Sequence, residues 1–149
     1  MNKVSNKILK EPVERIMGKI SKMSQTILQD QLCEMDIDRS FYPLMLIEAG
    51  NGITQQELAT QLSCDKVQVV RIIDYLSENG YVQRLQSKVD KRKYELVVTD
   101  KAQKALPDIK KAFEEISLLT LHGLTENQKN ELYTMLLKVE MNLLQNKTV

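Results

Sequence analysis

Cysteine, histidine and long apolar runs are all scarce in this sequence. Two cysteines in 149 residues, Cys33 and Cys64, are too few for a disulfide framework and fit reduced thiols. The single histidine, His122, has no partner at metal-ligand spacing. No nucleophile is set beside a histidine, no glycine-rich loop is placed to cradle a phosphate, and no motif positions a pair of carboxylates, so enzymatic chemistry finds no support. No apolar stretch approaches the length of about 18 residues that a membrane span needs. The opening MNKVSNKILKEPVE is too polar for the apolar segment of a signal peptide. The expectation is a cytoplasmic protein with no membrane partner, no metal and no cofactor. A net charge of +1 also rules out a polycation, so a nucleic-acid surface would have to be local.

What is present is a helical pattern interrupted once. With 42% hydrophobic and 28% charged residues, the chain fits one compact domain or a domain with helical appendages. Ile16, Ile20, Met23 and Ile27 recur every three or four residues, a narrow stripe on a helix starting near Pro12. A second helix is expected over about Ser40 to Ala49, ending at GNG. Thr54 opens a third, with Glu57 completing a capping box. Asp65 caps a fourth that stops at Gly80, a residue suited to the left-handed turn beyond a helix end. The period then changes. YVQRLQ and KYELVV read as two short strands around the polar tip SKVDKR, which makes a hairpin. Thr99 caps a fifth helix, in which Pro107 should cost a hydrogen bond and produce a bend. Thr125 and Gln128 form another capping box, and the last helix carries Leu132, Met135, Leu136, Val139 and Leu143 on one face.

Helix, short turn, helix, then hairpin is the order of a winged helix-turn-helix. With Ala59 as the small residue at the helix crossing, Leu58, Leu62, Cys64, Val69 and Ile72 fall at buried positions, and Val69, Ile72, Ile73 and Leu76 are the expected core of the fourth helix. Val67 and Val70 would then lie outward with Arg71 and Asp74, flanked by Lys66 and Gln68, unless one of the valines packs under the hairpin or another helix. Glutamine can pair with an adenine edge, arginine with guanine, and valine can touch a thymine methyl. Seven basic residues face four acidic ones between Asp65 and Lys93, so this segment carries the chain's positive excess.

The stretch from ITQQELATQLSCDKVQVVRIIDYLSENGYVQR to VDKRKYELVVTDKAQKAL resembles the MarR (multiple antibiotic resistance regulator) family of winged-helix repressors. The likeness is strongest from Phe41 to Leu106, and its most specific part is the wing signature, here Asp90, Arg92, Val98 and Thr99. The resemblance implies that Arg92 enters a minor groove and that Asp90 helps to hold it. It also marks two departures. Members often have glycine where this chain has Ser63, which suggests a slightly different turn. They often have small hydroxyl residues where it has Val67 and Val70, which predicts more reliance on methyl contact and shape, and so on A·T-rich sequence.

The expected product is a mainly α protein with a small β-hairpin, its winged helix-turn-helix flanked by N- and C-terminal dimerisation helices. Residues 1–36 form the first flank, 37–106 the DNA-binding lobe and 107–149 the second flank. The function expected is that of a homodimeric, sequence-specific regulator that represses a pseudo-palindromic operator on double-stranded DNA. Lys66, Val67, Gln68, Val70 and Arg71 read the major groove, Arg84, Lys88, Asp90, Lys91, Arg92 and Lys93 form the wing contact, and Gln55 meets a phosphate. Ile16, Ile20, Met23, Ile27, Leu132, Met135, Leu136, Val139 and Leu143 form the dimer seam, the alternative being that they pack within one chain. The resemblance further implies a small aromatic or apolar effector, with Phe41, Tyr42 and Met45 as its lining; plain core is the other role for those three. Cys33 lies between Asp30 and Glu34, acidic surroundings that disfavour the thiolate a redox sensor needs, and Cys64 falls at a buried, inert position. The competing function is a winged-helix module for protein assembly without DNA affinity, which indifference to duplex DNA would reveal.

Overall fold

The structure is a computed structural model, and it describes residues 10–146; the ends of both expected flanks, 1–9 and 147–149, lie outside the described residues. The chain forms two compact units, divided after Glu114. The first contains helices α1 (Val13–Gln31), α2 (Phe41–Gly50), α3 (Gln55–Leu62) and α4 (Lys66–Glu78), strands β1 (Ile53–Thr54), β2 (Val82–Gln86) and β3 (Tyr94–Val98), and most of helix α5 (Asp100–Thr120). The second holds the end of α5 and helix α6 (Glu126–Asn146). Among the described residues, no helix is long and apolar enough to cross a membrane.

Local chemistry starts the central helices. The Thr54 hydroxyl accepts from the Glu57 N–H while the Glu57 carboxylate accepts from the Thr54 N–H, the reciprocal capping box at the start of α3. The Asp65 carboxylate accepts from the Gln68 N–H at 2.8 Å and starts α4. Between the two helices Ser63 adopts φ 51°, ψ 38°, with its N–H and that of Cys64 donating back into the end of α3. The turn is therefore the left-handed one that glycine would make, and serine adopts it at a steric cost of about 1–2 kcal/mol. Serine thus stands in a left-handed position that glycine adopts without that cost.

In α4, Val69, Ile73 and Leu76 are buried, and each removal of such a side chain from water contributes about 2 kcal/mol. Ile72, expected with them, is half-buried. At 3.6 residues per turn it sits about 60° from Val69, away from Ile73. Leu62 and Cys64 are likewise half-buried, while Leu58 is fully enclosed. The helix ends as expected: Gly80 has φ +78°, and the Tyr81 N–H donates across it to the Leu76 carbonyl at 2.8 Å.

The hairpin pairs antiparallel, with Val82 opposite Val98, Arg84 opposite Leu96 and Gln86 opposite Tyr94. It is part of a three-stranded sheet of order β1-β3-β2, where two strands were expected. Ile53 and Thr54, just before α3, pair with Leu96 and Glu95, and both Ile53 and Leu96 are buried. Thr99 then closes the wing onto α4, donating its hydroxyl to the Gly80 carbonyl at 2.6 Å and accepting from the Ala102 N–H at the start of α5. Helix α5 runs through Pro107, which is exposed.

In the second unit Gly123, at φ +81°, lies in the turn after α5, and Thr125 and Gln128 cap α6 reciprocally. No residue of α6 is buried. Tyr133, Met135, Leu136, Leu137, Met141, Leu143 and Leu144 are exposed, and Leu132 and Val139 are half-buried.

Candidate nucleic-acid interface

The start of α4 leaves Lys66, Val67, Gln68 and Arg71 exposed, with Val67 60% accessible. Measured around the helix, Val67 and Arg71 lie about 160° on either side of Val69, diametrically opposite the core. Val70 does not share that position. It is half-buried on the flank of the helix, about 100° from Val69, so the expected pair of outward valines reduces to Val67. The outward surface thus offers an ammonium, an amide, a guanidinium and one methyl pair.

The wing beside it is ordered from within. Ser87 is buried, and its hydroxyl accepts from the N–H groups of Val89 and Asp90 at 3.2 and 3.3 Å. The Ser87 N–H donates to the Lys93 carbonyl, and the Lys93 N–H to the Asp90 carbonyl. The Gln86 amide donates to the Lys91 carbonyl at 2.6 Å. Asp90 accepts the Arg92 N–H at 3.1 Å, so it orders the backbone at Arg92 and leaves the guanidinium outward. Sequence reasoning missed Ser87, though a serine three residues before an aspartate at a hairpin tip is a signal of such a turn.

Charge divides into free and engaged. Lys66, Arg71, Lys88, Lys91 and Arg92 are exposed and have no ion-pair partner among the described residues. Arg84 is different: its guanidinium meets the Asp74 carboxylate at 2.5 Å, joining β2 to α4. Expected as a wing contact, it is engaged here with α4, and its partner is Asp74, which was expected only as an outward residue of that helix. Gln55, Thr54, Gln56, Glu57, Thr60, Lys93 and Tyr94 line an open cleft of about 510 Å³ between α3 and β3. Hydrogen bonds from the Thr54 backbone and hydroxyl, with Lys93 nearby, hold the Glu57 carboxyl below the usual glutamate range.

Away from this surface, Leu28, Phe41, Tyr42 and Phe113 form the apolar wall of a cavity of about 120 Å³, with Gln25, Gln29 and Arg39 as its polar edge. Tyr42 and Phe113 face each other with ring centres 6.2 Å apart. Met45, expected in the lining, is half-buried elsewhere on α2, and Phe41 belongs to the core as well as to the cavity wall. Arg39 and Phe113 were not legible as lining, since they come from a loop and from α5. On α1, Ile16, Ile20 and Met23 are exposed and Ile27 is half-buried. Cys33 is exposed.

Comparison with known proteins gives this geometry its family. The pattern of the MarR family matches residues 39–94, from just before α2 to the start of β3. The chain is similar to the HTH-type transcriptional regulator YybA of Bacillus subtilis (strain 168), 27% identical over 139 residues that cover 93% of this chain and 89% of the relative. It is also 30% identical over 98 residues to the HTH-type transcriptional regulator BilQ of Clostridium symbiosum (strain WAL-14163), covering 66% of this chain and 68% of that one. Among solved structures, a putative MarR family transcriptional regulator from Listeria monocytogenes, complexed with 26mer DNA, superposes with a TM-score of 0.83 at 29% identity, covering 93% of this chain and 92% of the other. Helix-turn-helix, wing and matched residues agree, and the chain belongs to the MarR family of transcriptional regulators.

Proposed function

We propose that the protein is a homodimeric, sequence-specific DNA-binding regulator that represses transcription at a pseudo-palindromic operator and is released by a small ligand. The observation that carries the reading is the uncovered N-terminal face of α4 beside a cationic, internally bonded wing. The Listeria monocytogenes relative complexed with DNA supports it.

In this reading α4 enters the major groove. Gln68 pairs with an adenine edge, Arg71 with guanine, Val67 packs on a thymine methyl and Lys66 steadies the approach. Val70, half-buried on the flank of the helix, is left at the margin of that contact. Lys88, Lys91, Lys93 and Gln55 take phosphates, and Arg92 enters the adjacent minor groove from a backbone fixed by Asp90. Arg84 braces the wing against α4 through Asp74.

One such lobe releases few counterions, so a single copy binds weakly and two are needed. The exposed stripe of Ile16, Ile20, Met23 and Ile27, with the uncovered apolar residues of α6, supplies the seam. In this reading the segments 1–36 and 107–149 serve dimerisation and 37–106 serves DNA. The cavity at Tyr42 and Phe113 is about as large as one aromatic ring, which limits the effector to a small apolar or aromatic molecule.

Binding-site selection from random duplexes, followed by anisotropy titration at several salt concentrations, tests the reading. The expected result is a selected site with two inverted half-sites and an affinity that falls steeply with salt. Indifference to duplex DNA at low salt would instead favour an assembly module.

A further inference from the structure

Val89 is the most exposed large apolar side chain among the described residues, with 97% of its surface accessible. A single exposed valine is ordinary on a soluble protein. This one is held in place. Six hydrogen bonds order the turn that presents it, two of them to the hydroxyl of buried Ser87. It is flanked by Lys88 on one side and by Lys91 on the other, both exposed.

Cations on both sides of an apolar tip fit one kind of surface. Phosphate ridges border a nucleic-acid groove, and what lies between them is sugar and base edge. A tip whose flanking charges meet the ridges therefore presses its central side chain toward the groove floor. In the minor groove A·T pairs offer only acceptors, whereas G·C adds the guanine amino donor. A valine set against that amino group removes its water and gives no acceptor in return. Against an A·T pair it meets the adenine C2–H and sugar carbons, and nothing is left unpaired.

Building on the DNA-binding reading above, we infer that Val89 is a specificity-determining residue that probes the minor-groove floor and selects against guanine where the wing lands. Its role is separate from that of Arg92, which brings charge, and from that of Val67, which faces the major groove. Because the turn is already ordered, contact requires little further loss of freedom.

The test uses the full-length protein, the operator obtained by selection, and two derivatives of it. In one, the A·T pairs protected by the wing are replaced by G·C. In the other they are replaced by inosine·cytosine, which keeps the major-groove pattern of G·C but lacks the amino group. The wild type should bind the G·C duplex about tenfold more weakly than the parent and recover most of that loss on inosine. V89A should bind the parent about fivefold more weakly, with the salt slope unchanged, and should no longer distinguish G·C from inosine·cytosine. Its melting temperature should match the wild type, since the side chain packs against nothing. A V89A variant with wild-type affinity and wild-type discrimination overturns the inference while leaving the DNA reading intact. A wild type that binds no duplex overturns both.

Discussion

The ion pair between Arg84 and Asp74 links β2 to α4, and its two candidate roles in the proposed DNA binding give different signatures. In the structure the pair is short, at 2.5 Å, but the side chains keep 36% and 47% of their accessible surface. Solvent screening at that exposure limits the contribution to stability to about 0.5 kcal/mol. A double-mutant cycle of Asp74→Asn, Arg84→Gln and the double variant, followed by urea unfolding, should return a coupling of that size and no more. The functional effect is larger in kind. If Arg84 is a brace, Arg84→Gln weakens DNA binding through loss of wing alignment and leaves the dependence of log K on log salt unchanged. Asp74→Asn frees the guanidinium for a phosphate and steepens that slope by about 0.9 per lobe. If Arg84 leaves Asp74 to meet a phosphate in the complex, Arg84→Gln makes the slope shallower by about 0.9 per lobe instead. That outcome would refute the assignment of Arg84 as a brace, whatever the stability cycle shows.

Three further outcomes are expected. Ser63→Gly relieves a left-handed serine between α3 and α4, so it should stabilise the fold by about 1 kcal/mol in chemical denaturation, with no change in DNA specificity. Glu57 has a folded-state carboxyl held below the usual range, so its stabilising effect is present above the unfolded glutamate range and is lost as pH falls through the depressed value; the stability difference between wild type and Glu57→Gln should therefore be constant near neutrality and shrink in acid. Ile20→Glu with Met23→Glu places two carboxylates on the exposed stripe of α1, and sedimentation should show monomers at micromolar concentration with no loss of helix content. An unchanged assembly would remove that stripe from the dimer seam.

Much of this architecture follows from neighbours three or four residues apart. Thr54 with Glu57, Asp65 with Gln68, and Thr125 with Gln128 write helix starts into the sequence, because a cap is satisfied within one turn of its own helix. The change to alternation after Gly80 marks the hairpin for the same reason, and the register Val82 to Val98 keeps both ends of that pattern on one face. Helical period alone also identifies Val69, Ile73 and Leu76 as inward, and Val67 and Arg71 as outward.

What tertiary structure decided is everything that depends on a partner distant in the chain. β1 is two residues long, too short to show a period, and exists because β3 lends it hydrogen bonds. Val70 and Ile72 sit at the margins of the α4 apolar arc, where the angle of neighbouring elements rather than the helix itself sets how much water remains. Arg84 reads in sequence as one more cation of the wing; only folding brings Asp74 against it. Tyr75 similarly accepts the Asp38 N–H at 2.9 Å, tying α4 to the loop before α2 in a way no local pattern announces. The sequence by itself determined where the chain turns and which residues seek the interior, because those preferences are satisfied by adjacent atoms. Which outward charges stay free for a partner was left to the fold, because a charge is spent or spared by whatever the rest of the chain sets beside it.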